Sequence, residues 1–247
     1  MPRVKFLPRR LDMAMSRLAR SENIKDLLVH TVNPAYTVWA DDFVGSPTGT
    51  WPANANWMYP ATVGTGTEVI GITAALGGTL TCTTGGTSGN GAYQYVGRNW
   101  RGTDGIYFIA RVKIDDITTS KFEVGLTDSI TNEGAIATKA TPTFTASDCA
   151  VFVRDTSDDT NLTFITAAGG TVGANADATF TVASDTYMTL EIVVQGGFAS
   201  GYVNGALVGS GAVTATTTLT PGFGATTRAA ATRTLTVDYG VCVGPKL

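Results

Sequence analysis

The sequence predicts an all-β protein: an antiparallel β-sandwich of the jelly-roll type, preceded by a short N-terminal helical arm. Three observations predict it. Apolar and polar residues alternate with a period of two along much of the chain, and Gly, Asn and Pro clusters separate the alternating runs at hairpin-like spacing. Helical periodicity is confined to the first 34 residues. Composition agrees. Only 15% of the 247 residues are charged, against an ordinary share of about 25%, and 29 are glycine. A low-charge chain rich in Thr, Gly and Val suits short strands joined by tight turns.

The clearest element runs from Met188 to Val208. Met188, Leu190, Ile192 and Val194 fall on one side of a strand, and Thr189, Glu191, Val193 and Gln195 on the other. Gly196-Gly197 breaks the run. Tyr202 and Val203 then lead into Asn204-Gly205, a pair that tolerates the positive φ of a two-residue type I′ turn, and Ala206, Leu207 and Val208 return. This meander needs a facing sheet to cover its apolar side.

Taken in order, residues 1–8 read as extended between Pro2 and Pro8. Leu11, Met15 and Leu18 then follow helical spacing, and Ser21 offers an N-cap for a second short helix holding Ile24, Leu27 and Leu28. Pro34 ends this arm and marks a boundary between residues 1–34 and the sandwich domain, 35–247. Strands are expected at 36–43, 68–72, 79–83 and 92–96, with a flexible loop at 85–91. Residues 105–114 form a second strong strand: Ile106, Phe108, Ala110, Val112 and Ile114 face one way, and Tyr107, Arg111 and Lys113 the other. Phe122, Val124 and Leu126 supply its expected antiparallel neighbour. Residues 128–147 read mostly as loop, and 209–224 as a Thr-rich connection. Further strands are expected at 149–154, 161–166 and 179–182, and a closing strand carries Leu235, Val237, Tyr239, Val241 and Val243.

Charge is divided unevenly. Residues 1–30 hold seven basic side chains, Arg3, Lys5, Arg9, Arg10, Arg17, Arg20 and Lys25, against three acidic ones. The remainder holds ten basic and seventeen acidic residues. A basic arm on an acidic body suggests that the arm touches an acidic surface. Two uses are open: a helix folded back on its own sandwich, or an arm gripping a neighbouring subunit. Nucleic-acid binding is not expected, because the arm lacks a dense basic run with interleaved aromatics. No secretory signal and no apolar run of about 18 residues is present, so neither a leader nor a membrane span is expected. Cys82, Cys149 and Cys242 are far apart and odd in number, which argues against a disulfide framework or a zinc site. Cys242 lies between Val241 and Val243 and reads as a small buried apolar residue.

The strand at 105–114, the run Phe122-Glu123-Val124-Gly125-Leu126-Thr127-Asp128, the turn Tyr202-Val203-Asn204-Gly205 and the final Leu235-Thr236-Val237-Asp238-Tyr239 together resemble a concanavalin-like, laminin-G-like jelly roll over residues 36–247. A basic arm ahead of such a sandwich is similar to bacteriophage particle proteins that decorate heads or build fibres. That resemblance implies a non-enzymatic structural protein on the outer surface of a virion. It would be a homo-oligomer anchored to a capsid or other virion protein through Arg3, Lys5, Arg9, Arg10, Leu11, Met15 and Leu18. Its alternative is a carbohydrate-binding, host-recognition module.

Catalytic chemistry has little to draw on. The single histidine, His30, stands in the arm, outside the sandwich. Glycoside hydrolases of this general fold use two carboxylates about 5–9 Å apart, often in a Glu-x-Asp-x-x-Glu run that is absent here. Glu123 and Glu191 remain as outward-facing carboxylates that would have to meet across a sheet. No cofactor is expected. For calcium the candidates are Asp155, Asp158 and Asp159 on one turn, which lack the Asp-x-Asp-x-Asp-Gly order of a defined cage. For glycan binding, Trp57, Tyr59, Asn99 and Trp100 supply aromatic faces and an amide, with Tyr93, Tyr95 and Arg101 nearby; the competing reading is that the aromatics pack the core.

Overall fold

The computed structural model describes residues 36–41, 43, 49–50, 59–64, 66–73, 78–102 and 105–245. In chain order the strands are β1 (Tyr36–Asp41), β2 (Gly49–Thr50), β3 (Tyr59–Val63), β4 (Val69–Thr73), β5 (Thr79–Thr83), β6 (Gly91–Tyr95), β7 (Trp100–Arg101), β8 (Ile106–Ile114), β9 (Ser120–Thr127) and β10 (Ile136–Thr138). They continue as β11 (Thr143–Phe144), β12 (Cys149–Asp155), β13 (Asp159–Ala168), β14 (Thr171–Asp177), β15 (Met188–Gln195), β16 (Phe198–Val203), β17 (Ala206–Ala212), β18 (Thr218–Thr227) and β19 (Thr234–Pro245). Among the described residues there is no helix. The helical arm expected over residues 1–34, with Arg3, Lys5, Arg9, Arg10, Leu11, Met15 and Leu18, lies outside the described residues.

Among the described residues all strand pairs are antiparallel, and apart from the two-stranded β10–β11 they build two stacked sheets. The first runs β17-β16-β15-β8-β19-β5-β4-β2. The long β19 serves two partners on one side: residues 234–237 pair with β5, and residues 240–245 pair with β1. The second sheet runs β14-β13-β12-β9-β18-β6-β3, with β7 on the far part of β18. The period of two turns Ile106, Phe108, Ala110, Val112 and Ile114 of β8 and Leu190, Ile192 and Val194 of β15 into the gap between the sheets. Phe122, Val124, Leu126, Phe152, Phe164 and Phe223 meet them from the other side. Phe223 packs against both Trp39 and Phe108 at 5.8 Å between ring centres. Each such ring, fully buried, contributes about 2–3 kcal/mol by removal from water.

The expected meander is present, with Asn204 at φ 50° and Gly205 at φ 82°, the left-handed pair that a type I′ turn demands. The expected strand partner of β8 is different. β8 lies between β15 and β19, and the run after it, β9, crosses to the second sheet and pairs with β12 and β18.

Three further expectations are corrected. The connection expected at 209–224 ends β17 and holds the first part of β18, an interior strand of the second sheet. Residues 179–182 form no strand; they are a loop that tucks Val182 against the core. The loop at 128–147 contains a small hairpin, β10–β11, folded over the outer face of the second sheet.

β18 hides its identity behind Pro221, Gly222 and Gly224. Pro221 falls where β7 has ended and β6 has not begun: Thr218 and Leu219 pair with β7, and Gly222 to Thr226 with β6. Its carbonyl accepts the Val96 N–H at 3.1 Å, so its missing N–H would have pointed into that gap. The two glycines make room for aromatic rings. A Cβ on Gly224 would sit 2.0 Å from the Tyr93 ring, and one on Gly222 2.8 Å from the Tyr95 ring.

Candidate functional site

The outer face of the second sheet carries most of the chemistry. Antiparallel register places Tyr59, Tyr95, Gly222, Gly125, Val151 and Ile165 in one row across six strands, and Ala61, Tyr93, Gly224, Glu123, Val153 and Thr163 in the next. Tyr93 and Tyr95 are two residues apart on β6, so their rings project side by side, 6.4 Å between centres and 13° from parallel. They lie flat over the glycines of β18. The Tyr93 hydroxyl and the Thr226 hydroxyl share a hydrogen bond of 2.9 Å, and the Tyr95 hydroxyl donates to the Thr131 carbonyl at 2.7 Å. Burial and the nearby Glu123 charge push both phenols well above the usual tyrosine range.

Glu123 stands beside these rings but is not open to a substrate. Residues 128–147 cover it. The Ala135 N–H donates to Oε2 at 2.6 Å, the Ile136 N–H to Oε1 at 3.2 Å, and Lys121 Nζ contacts Oε1 at 2.7 Å. Both side chains of that ion pair are at most 5% exposed. Lys121 spends its other donors on the Glu133 carbonyl, at 2.9 Å, and the Ile136 carbonyl. Around this polar knot Ala135, Ile136, Ala146 and Phe144 press onto Cys149, Val151, Val153, Ile165 and Ala167. Between the rings, Glu123 and the cover remains a cavity of about 10 Å³, at most the space of one water.

Glu191, the other carboxylate singled out from sequence, lies on β15 in the first sheet. Met188, Leu190, Ile192 and Val194 turn inward, so Glu191 turns to that sheet's outer face. Glu123 and Glu191 therefore sit on opposite outer faces with the whole core between them. They do not meet across a sheet, and they cannot flank one glycosidic bond.

The acidic turn at 155–159 is divided among separate partners. Asp155 takes Arg228 through both oxygens, with Nε donating at 2.8 Å. Asp158 accepts the Lys139 and Ala140 N–H groups at 2.5 and 3.2 Å. Asp159 pairs with Lys139 Nζ, which also donates to the Asn161 carbonyl and the Thr163 hydroxyl. Among the described residues, no group of three or more His, Cys, Asp or Glu side chains is placed to hold a metal ion. Burial tends to raise the Asp159 carboxyl; the hydrogen bonds from Lys139 and the Asn161 N–H, with the lysine charge, outweigh it and hold the group below the usual range.

The glycan-binding candidates separate. Trp57 lies outside the described residues, as does His30. Trp100 is 1% exposed and belongs to the core, which removes its face from any ligand. Tyr59 and Asn99 come together. Tyr59 opens β3, the edge strand of the second sheet, and is 49% exposed. The point where a Cβ on Gly97 would stand is 3.3 Å from both Tyr59 Cε2 and Asn99 Nδ2, so ring and amide flank the same glycine. Asn99 is exposed, as are its neighbours Arg98 and Arg101. This aromatic surface with an adjacent amide lies beside the Tyr95 ring at the edge of the covered face.

Sequence reasoning missed Lys121 and the cover. The pairing was available in Lys121-Phe122-Glu123, since residues i and i+2 of a strand share a face. The cover was not, because its residues show no strand periodicity.

No family model matches the sequence, and no curated protein matches it either. Solved structures do share the fold. A protein of unknown function from Shewanella oneidensis MR-1 is similar over 92% of this chain and 95% of its own, at 12% identity and a TM-score of 0.62. Peanut lectin is similar over 86% and 98%, at 9% identity and 0.57. The β-glucanase of Bacillus licheniformis is similar over 85% and 98%, at 12% identity and 0.55. The chain thus has the jelly-roll β-sandwich shared by lectins and glucanases.

Proposed function

We propose that this chain is a non-catalytic carbohydrate-recognition module, with Tyr59 and Asn99 forming its contact surface. The observation that carries this reading is the pairing of a half-exposed tyrosine ring with an exposed amide around Gly97. A sugar's C–H face stacks on such a ring, and its hydroxyls use the amide as donor and acceptor. The lectins among its structural neighbours support the reading. The glucanases share the sandwich, but here the two candidate carboxylates stand on opposite faces, and Glu123 is consumed by its cover. Glycan-array screening followed by calorimetry on the best ligand tests this. Saturable binding is expected, falling at least tenfold in Tyr59→Ala, with no turnover.

A place on the surface of a phage particle belongs to the same proposal only through residues 1–34, which would anchor the sandwich to a capsid protein. Deleting residues 1–33 is then expected to abolish attachment to particles; undiminished attachment would refute the anchor.

A further inference from the structure

Most cations of the sandwich are already engaged. Nine lysines and arginines fall among the described residues. Arg111, Lys113, Lys121, Lys139, Arg228 and Arg233 each pair with a carboxylate. Arg154 donates to the Thr160 carbonyl at 2.9 Å and to the Ile117 carbonyl at 2.6 Å. Arg98 and Arg101 remain. Among the described residues their guanidinium groups have no ion-pair or hydrogen-bond partner. Both are exposed, and in the chain they flank Asn99, in the loop that meets Tyr59.

That loop is pinned to β18. The Val96 N–H donates to the Pro221 carbonyl at 3.1 Å and the Gly97 N–H to the Thr220 hydroxyl at 2.8 Å, while Trp100 and Arg101 pair with Leu219 and Thr218. Trp100 is buried in the core, and Asn99 and Arg101 on either side of it are open to solvent. The Cα atoms of Arg98 and Arg101 lie at most about 11 Å apart. The chain beyond residue 30 is otherwise acidic, with ten basic side chains against seventeen acidic ones, so two unneutralised arginines side by side make this corner the place where an anion is drawn in. We propose, on the basis of the carbohydrate-recognition reading above, that the ligand of the Tyr59 surface is an acidic glycan whose carboxylate or sulfate groups are held by Arg98 and Arg101. Arginine's planar fork meets the paired oxygens of such groups through two parallel N–H···O bonds. The ring carries the sugar's apolar face, the amide its hydroxyls, and the arginines its charge.

The test is calorimetric titration of the full chain at low salt with two matched pairs of ligands: oligogalacturonate and its carboxyl-reduced counterpart, and dextran sulfate fragments and dextran. A charged member is expected to bind at least tenfold more tightly than its neutral counterpart, and added salt to weaken it. Preference for the galacturonate identifies a carboxylate as the bound group, and preference for the sulfated fragments a sulfate. In Arg98→Gln/Arg101→Gln the preference is expected to vanish while the thermal unfolding midpoint stays that of the wild type. Charged members bound no better than neutral ones, with binding lost in Tyr59→Ala, would overturn the acidic class and leave carbohydrate recognition standing. No binding of any member would overturn both. A charge preference that survives the double arginine variant, or a thymidine oligonucleotide bound as tightly as the best glycan, would also overturn the proposal.

Discussion

Lys121 and Glu123 show how one pair of residues decides the fate of a sheet face. Both point outward, both are buried, and each satisfies the other while the cover supplies two N–H donors and two carbonyl acceptors. Removing one partner of a buried pair leaves an uncompensated charge. Lys121→Met is therefore expected to cost about 3–5 kcal/mol in urea unfolding, and the double change Lys121→Met/Glu123→Leu to cost less than the single one. Asp159 gives a pH dependence with a definite sign. Its folded pKa lies below the ordinary aspartate value of about 3.9, so the stability it confers is complete above about pH 4 and is lost as pH falls through the folded value. The gap in Tm between the wild type and Asp159→Asn should shrink below about pH 4. Burial pushes the Cys82 thiol up to about 12, and Cys149 and Cys242 also rise by burial. All three should resist alkylation at pH 8 in the folded protein and react once it is unfolded.

At the scale of elements, legibility followed how plainly each strand alternates. β8 and β15 bury one face against the core and declare it by a period of two, so their inward sets were readable residue by residue. The turn at Asn204-Gly205 was readable because its residues fit the conformation it adopts. β18 was unreadable for an equally physical reason. Its Pro and Gly residues look like breakers, yet Pro221 sits where no N–H is required, and the glycines exist to seat Tyr93 and Tyr95. That account predicts that Gly224→Ala, forcing a methyl against the Tyr93 ring, destabilises by about 1–3 kcal/mol, and that adding Tyr93→Ala to it restores tolerance of the methyl. Destabilisation independent of residue 93 in a double-mutant cycle would contradict the seating role.

For the whole molecule, two stacked sheets were legible from composition and alternation, but the distribution of chemistry over their faces was not. Which sheet a strand joins depends on crossovers that no local pattern reports: β9 follows β8 in sequence yet lies in the opposite layer. That crossover is what separates Glu123 from Glu191 and puts them on opposite faces. Nor does local pattern report that Trp100 packs into the core while Tyr59, on an edge strand, stays half exposed. The most direct measurement is a calorimetric titration of the full chain with the best glycan from an array, run in parallel with Tyr59→Ala and Glu123→Gln and with product analysis of every mixture. A recognition module predicts binding that drops at least tenfold in Tyr59→Ala and no cleaved product in any sample; cleavage by the wild type that vanishes in Glu123→Gln, or affinity indifferent to the loss of the Tyr59 ring, would contradict it.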